Sequence, residues 1–453
     1  MKAKPTQREF RLELERMVQT LRDEIVSGAY SPGQYLPSEP AQARRFGLSN
    51  KSVRKGLELL VEEGLIEKIP KVGSRVMAPK SRISLKLGHY QKDIGNMDLP
   101  ALLADFQRRH SWIDVKAEPF ASNGGMDAEN IRRCDLIMMN NEHFGYLAEA
   151  GHHRLLLPLE EKSGVHSILN GCFQRDGQLY ARPLIYSPVV LCYNKRHFRE
   201  QGLPEPDGGW TWDNLVRSAT RLTEGNRFGF CFYLANVNRW PLFLLQSGER
   251  FQKSGGQYAD VQEGPLLGGI RLCKQLIRNS EMFPLFISES DADIVSMFLE
   301  GKLSMVLNTY MGMNEWRQSG MEFDISPVPY MSRPMTLTIA EGVGINRATS
   351  HPEAALLLAD YLAGEQAQSH IRNYTLSLPV LQSVSDGPRP KGVASPERYM
   401  LYREMMFSLC THDELGLPWS KTRRFSYLLK AYWANLIDDK ELCDRINGEL
   451  ATP

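Results

Sequence analysis

The chain has 453 residues, 42% hydrophobic and 24% charged, which at roughly 150 residues per domain excludes a single small module and, by composition, a disordered, collagen-like or coiled-coil chain. No run of 18 apolar residues is free of charge, so no membrane span is expected. The net charge of +1 hides an asymmetry: residues 1–80 hold 15 Lys+Arg against 10 Asp+Glu, leaving a body of net −4, and a basic head on an acidic body is expected to meet a polyanion through the head alone.

The start, Met1-Lys2-Ala3-Lys4-Pro5, passes into a charged amphipathic stretch with no apolar leader, so a cytoplasmic location is expected. In the head, Phe10, Leu14, Met17, Val18, Leu21 and Ile25 recur every three or four residues and predict a helix ended by Gly28. A turn follows at Ser31–Pro37. Ser38 then caps a short helix that tolerates Pro40 in its first turn, and Gly47-Leu48-Ser49 breaks the chain before a third helix. Along that helix Val53, Leu57, Leu60 and Val61 should be buried, leaving Asn50, Lys51, Arg54, Lys55 and Glu58 outward. Two β-prone runs, Leu65–Ile69 and Ser74–Met77, joined through Pro70–Gly73, predict a hairpin.

This outline is a winged helix-turn-helix, whose third helix fits the major groove of duplex DNA. The blocks Leu21–Gly28, Pro32-Gly33, Leu36–Glu39, Ser49–Leu57, Glu63–Ile66 and Gly73–Val76 resemble the GntR-type transcription regulators. The resemblance implies DNA contacts from Ser38, Glu39, Ser49, Asn50, Lys51, Ser52, Arg54, Lys71, Gly73 and Arg75. Two positions depart from the pattern, Pro40 and Asn50, where basic residues are usual, which implies an atypical operator or a reduced affinity. Gly56 replaces the usual Ala at an expected cost of about 0.5–1 kcal/mol to the helix.

A linker is expected at 79–82, between a head of residues 1–78 and a body of 83–453. In the body, strands at Ile83–Gly88, Ile113–Ala117, Asp135–Met139, Val189–Tyr193, Leu303–Leu307 and Val343–Ile345 alternate with helices and predict a largely parallel α/β sheet, with sites at the carboxyl ends of its strands. The tail, around Tyr399–Leu409 and Arg424–Leu436, reads as helical. Seven scattered cysteines without a CxxC pair indicate neither disulfides nor zinc, and the pair His152-His153 reads as surface. The common nucleophile, metalloprotease, P-loop and dinucleotide motifs do not occur, so neither an enzyme nor a cofactor is expected.

The blocks Leu99–Asp114, Asp135–Met139, Gly177–Pro183, Leu191–Lys195, Trp210–Leu215, Phe298–Met305, Gly342–Asn346 and His351–Ala355 resemble the extracellular solute-binding proteins of carbohydrate ABC transporters. The resemblance implies two α/β lobes that close on a solute, with His89, Tyr90, Asn140, Asn141, Tyr186, Trp240, Tyr310 and Glu341 lining the cleft and Trp212 packing its own helix. The combined expectation is a homodimeric regulator that binds an operator in double-stranded DNA and responds to a small solute, a carbohydrate by class. Two rivals make different demands: a transport binding protein would need a secretion signal or lipid-anchoring Cys, and a GntR head on an aminotransferase body would need a Schiff-base Lys. A regulator that answers a peptide or polyamine is the third alternative.

Overall fold

A computed structural model describes residues 7–77, 82–120, 126–254, 257–258, 261, 264–387 and 395–451. Of the expected linker, only Arg82 falls among them. By internal contacts the chain divides into one unit of Met1–Ser84 with Leu103–Val115 and another of Leu85–Leu102 with Lys116–Pro453.

The first unit contains three helices, α1 (Gln7–Val26), α2 (Glu39–Phe46) and α3 (Asn50–Glu62), and a hairpin of β1 (Ile66–Ile69) and β2 (Gly73–Val76). Gly47 ends α2 in the left-handed conformation that its missing Cβ makes cheap. Leu14, Met17, Val18, Leu21 and Ile25 of α1 meet Val53, Leu57 and Leu60 of α3, with Leu36, Ile66 and Val76 closing the core. Val61, expected inside, is exposed, because it lies one residue past the buried Leu60 and so turns off the α1-facing stripe. Gly56 has a packing reason: a Cβ there would lie 2.1 Å from the Met17 Cε and 3.1 Å from Leu14. Its cost to helix propensity is therefore the condition for close packing of α1 on α3. Arg22 and Glu63 tie the same helices by a two-pronged ion pair, with Nε donating to Oε2 at 2.9 Å.

The body's elements begin with β3 (Ile83–His89), α4 (Gln91–Met97), α5 (Leu99–Arg109) and β4 (Ile113–Pro119); β3, α5 and β4 are divided between the units. Then come β5 (Leu136–Asn140), α6 (Asn141–Glu149), β6 (Ala181–Asn194), α7 (Trp212–Leu222), β7 (Phe228–Cys231), α8 (Pro241–Gln246), α9 (Asp291–Leu299), β8 (Leu303–Thr309), β9 (Phe323–Ser326), β10 (Thr336–Ile345), α10 (Trp419–Trp433) and α11 (Asp439–Ala451).

Within the second unit the sheet runs β3-β5-β10-β6-β8-β7, with β9 also on β6. It is mixed, not largely parallel as expected. The pairs β3–β5 and β7–β8 are parallel, while β10 runs against both β5 and β6, and β6 runs against β8. The reason lies in β6, 14 residues long and buried throughout, which pairs with β10 through its first half and with β8 and β9 through its second. It thereby crosses from one lobe to the other. Proline cannot donate to a ladder, and both prolines of β6 stand where the ladder is already interrupted. Pro183 lies at a register shift opposite Glu341 and Gly342, and Pro188 lies where the partner changes from β10 to β8. The expected strand 343–345 is the end of a ten-residue crossing strand.

The tail is helical as expected, in three short consecutive helical segments over Tyr399–Ser408 and in the longer α10 and α11. All seven cysteines are buried, and none is joined in a disulfide. Of the histidine pair expected at the surface, His152 is exposed and His153 is 3% exposed. Trp212 packs its helix as expected, its indole donating to Gln246 Oε1 at 2.8 Å.

Candidate nucleic-acid interface and solute cleft

In the head, Ser49 caps α3, its hydroxyl accepting from the Ser52 amide at 3.2 Å. The cap fixes the first turn of the helix, the part that reaches base edges in a groove-bound helix. Asn50, Lys51, Arg54 and Lys55 are exposed there. Ser52 is not: it is 5% exposed, with its hydroxyl 2.6 Å from that of Ser49, so it supports the cap rather than facing outward.

Arg54 is held by Glu39 of α2 at 2.9 Å with its side chain 61% exposed, and Arg75 is held by Glu67 across the hairpin. Pairs this exposed are screened by solvent and yield readily to a phosphate or a guanine edge. Ser38 flanks α2 and, like Gly73, is exposed. Lys71 sits at the wing tip with φ of 65°, the left-handed position of a turn closed by the Val72 amide on Ile69 O at 3.0 Å.

In the body, five of the expected residues converge where β3, β5 and β10 lie side by side. His89 ends β3, its ring nitrogen Nδ1 2.9 Å from Tyr90 O. The Tyr90 ring stacks on His143 at 4.5 Å and meets Phe120 edge-on. Asn140 caps α6 through the His143 amide at 2.8 Å, and Asn141 accepts from the Ala340 amide at 3.1 Å. Glu341 lies opposite Asn140 in the ladder, and its Oε1 accepts from Asn96 of α4 at 3.0 Å.

The three expected stacking rings lie elsewhere. Tyr186 is 1% exposed, with its hydroxyl on Met406 Sδ at 3.8 Å. Tyr310 is fully buried among tyrosines, donating to Tyr399 O and accepting from the Tyr402 amide, each at 3.1 Å. Trp240 is 2% exposed at the start of α8. Large rings with this burial are core material in this conformation.

A cavity of about 140 Å³ takes side chains from both lobes: Lys92, Asn96 and Glu341 on one side, Arg239, Asn308 and Asp291 on the other. Lys92 reaches across to Asp291 at 3.2 Å and Glu315 at 4.0 Å. Burial pushes the Glu341 carboxyl well above the usual range, the neighbouring Asp93 adding to the effect, and burial pushes Asp93 to about 7. Burial likewise raises Glu142 to about 7 and lowers His143 to about 4. A second, larger cavity of about 590 Å³ lies between α6 and the segment entering α10, lined by Asn141, Glu149, Arg175, Asp413 and Trp419 among others. Most of these polar residues were missed from sequence. The signal available for Asn308 and Thr309 was their place at the end of a recognisable strand; Arg239 had only its position beside Trp240.

The bacterial extracellular solute-binding protein family matches residues 97–369. The chain belongs to that family. Its head matches the bacterial regulatory proteins of the gntR family over residues 14–76. The galactooligosaccharide-binding protein of Bacillus subtilis is 24% identical over 306 residues, 63% of this chain and 70% of that protein. The HTH-type transcriptional repressor NagR of Bacillus subtilis is 35% identical over 129 residues, 28% of this chain; the chain spans about half of NagR's length, 51%. Among solved structures, maltose-bound MalE3 of T. maritima superposes with a TM-score of 0.69 at 16% identity, covering 81% of this chain and 99% of that one, which establishes the two-lobed fold. Among the described residues no helix is long and apolar enough to cross a membrane, and no cluster of His, Cys, Asp or Glu is arranged to hold a metal ion.

Proposed function

We propose that this member of the solute-binding family is a ligand-responsive transcription regulator. Its head, residues 1–78, binds an operator in double-stranded DNA. Its body, residues 83–453, takes a small solute between the lobes, and the linker at 79–82 joins them. The observation that carries this reading is the joining, in one chain, of a capped helix with an outward basic face to a cavity lined by polar side chains of both lobes. A carbohydrate is the expected solute class, since Asn, Asp and Glu replace water around hydroxyls, and sugar-binding relatives support it.

At about 140 Å³ the cavity is smaller than the roughly 300–1,000 Å³ of ordinary solute sites. Seating a sugar therefore requires the lobes to part, breaking Lys92–Asp291, and to close again on the solute. The solute shifts DNA affinity only by its differential affinity for the two lobe arrangements, about 1–3 kcal/mol in typical cases. The functional species is a homodimer in the cytoplasm, two heads meeting a two-fold operator.

The test is a thermal-shift screen of the purified chain against a sugar panel, followed by fluorescence-anisotropy titration of a duplex selected from random DNA by the full-length protein. A sugar at 100 times its dissociation constant adds about 2.7 kcal/mol of stability. Sugar binding without any sequence-selective DNA binding would favour the transport-protein reading instead.

A further inference from the structure

The cavity between the lobes contains a cation without an ion-pair partner of its own: the one carboxylate whose charge favours it, Asp291, is bonded to Lys92. Arg239 is 5% exposed, and among the described residues it forms no ion pair. Its Nε donates to Leu307 O at a long 3.4 Å and its Nη1 to Asn238 O at 3.2 Å, both neutral carbonyls. A buried guanidinium is ordinarily paired, because desolvating it costs several kcal/mol.

The carboxylates that share the cavity do not fill this role. Asp291 is bonded to Lys92, and Glu315 lies within ion-pair distance of the same ammonium. Glu341 bonds Asn96 through Oε1, while its Oε2 is shut from water without a partner. Burial, with the neighbouring Asp93 adding to it, raises the proton affinity of Glu341 and so weakens it as a counter-charge. Around Arg239 the remaining polar lining is uncharged: Asn236, Asn238, Asn308 and Thr309. Apart from the Lys92–Asp291 pair that spans it, the lining therefore presents donors and the Arg239 cation on the second lobe, and a hydroxyl-accepting carboxyl on the first.

We propose that the solute is an anionic sugar, bearing a carboxylate or phosphate that Arg239 receives in a two-pronged contact while a hydroxyl of the ring meets Glu341. The assignment rests on the solute-sensing reading above and sharpens it from carbohydrate to acidic carbohydrate. A planar guanidinium matches the paired oxygens of either anion.

The experiment is isothermal titration of the full-length protein with D-glucose, D-glucuronate and D-glucose 6-phosphate, and with inorganic phosphate and acetate as sugar-free anions. Arg239→Met and Arg239→Lys are measured beside the wild type, each with a thermal melt. The wild type is expected to bind one of the two acidic sugars and not D-glucose, the preferred arm telling carboxylate from phosphate. Arg239→Met should weaken that binding by about thirtyfold or more, and Arg239→Lys by less. Should Arg239→Met fail to fold, the wild-type preference and the Arg239→Lys loss decide the matter.

D-glucose binding as tightly as the acidic sugars, unaffected at Arg239, overturns the anion assignment and leaves the sugar-sensing reading standing. Arg239-dependent binding of phosphate or acetate with no preference for the sugar supports the anion subsite and overturns the sugar. Binding of none of the five probes overturns both.

Discussion

The head and the body place their functional side chains by different means. In the head the relevant pairs are close in sequence: Ser49 with Ser52 three residues on, and Glu39 with Arg54 fifteen on. In the body they are far apart, Lys92 from Asp291 by 199 residues and Asn96 from Glu341 by 245. Local spacing determines a helix face, whereas a two-lobed site is assembled only after the crossing strands β6 and β10 have set the register.

The body's core tests this contrast most severely. If Trp240 is core, Trp240→Ala costs about 3–5 kcal/mol of folding stability, read as a fall in the thermal midpoint. An unchanged midpoint with lost sugar binding would return the ring to the cleft.

Titration gives the next largest effect. Glu142 is raised from 4.5 to about 7, so the folded protein keeps a proton that the unfolded chain releases. The stability this contributes is full below about 4.5 and declines as pH rises toward 7, by up to about 1.4 kcal/mol per pH unit. Glu142→Gln should remove that decline from urea-denaturation curves across this window, and an unaltered pH slope would contradict the burial of the carboxyl. His143, lowered to about 4, has the opposite slope; its stability contribution is lost as pH falls below 6.5, so His143→Gln should steepen the net decline.

In the head, Arg54→Ala should cost about 1–3 kcal/mol of operator binding and relax sequence preference if Arg54 leaves Glu39 to read a base. Equal affinity of variant and wild type in a gel-shift series would reduce Arg54 to a surface ion pair. Ser49→Ala, removing the cap, should lower head stability by about 1 kcal/mol, measurable by urea denaturation. Lys71→Ala should flatten the dependence of log affinity on log salt by about 1 without changing sequence preference.

The contrast also explains what was legible in the sequence. The three helices and the wing were readable because Leu14 to Ile25 and Val53 to Leu60 carry their own periodicity. Val61 was misplaced because one residue moves a helical position by 100°, and Ser52 because a residue type suited to contacting DNA also suits a cap. In the body the family resemblance pointed to His89, Asn140 and Glu341, and the structure brings them together, His89 and Asn140 at the ends of β3 and β5 and Glu341 within β10. The aromatic residues were assigned to the cleft on chemistry, but Tyr310 is enclosed by Tyr399 and Tyr402, 89 and 92 residues away along the chain. No local pattern reveals such an enclosure. Arg239 was overlooked for a related reason, because a lone arginine beside a tryptophan reads as surface until burial is known.

The central claim is that one chain couples a solute in the body to DNA at the head. Its most direct test is the affinity of the full-length protein for its selected duplex, by fluorescence anisotropy, with and without a sugar whose saturation is verified calorimetrically. The account predicts a change of about 5–150-fold, the span of 1–3 kcal/mol of coupling. An identical dissociation constant in the presence of saturating sugar would contradict it.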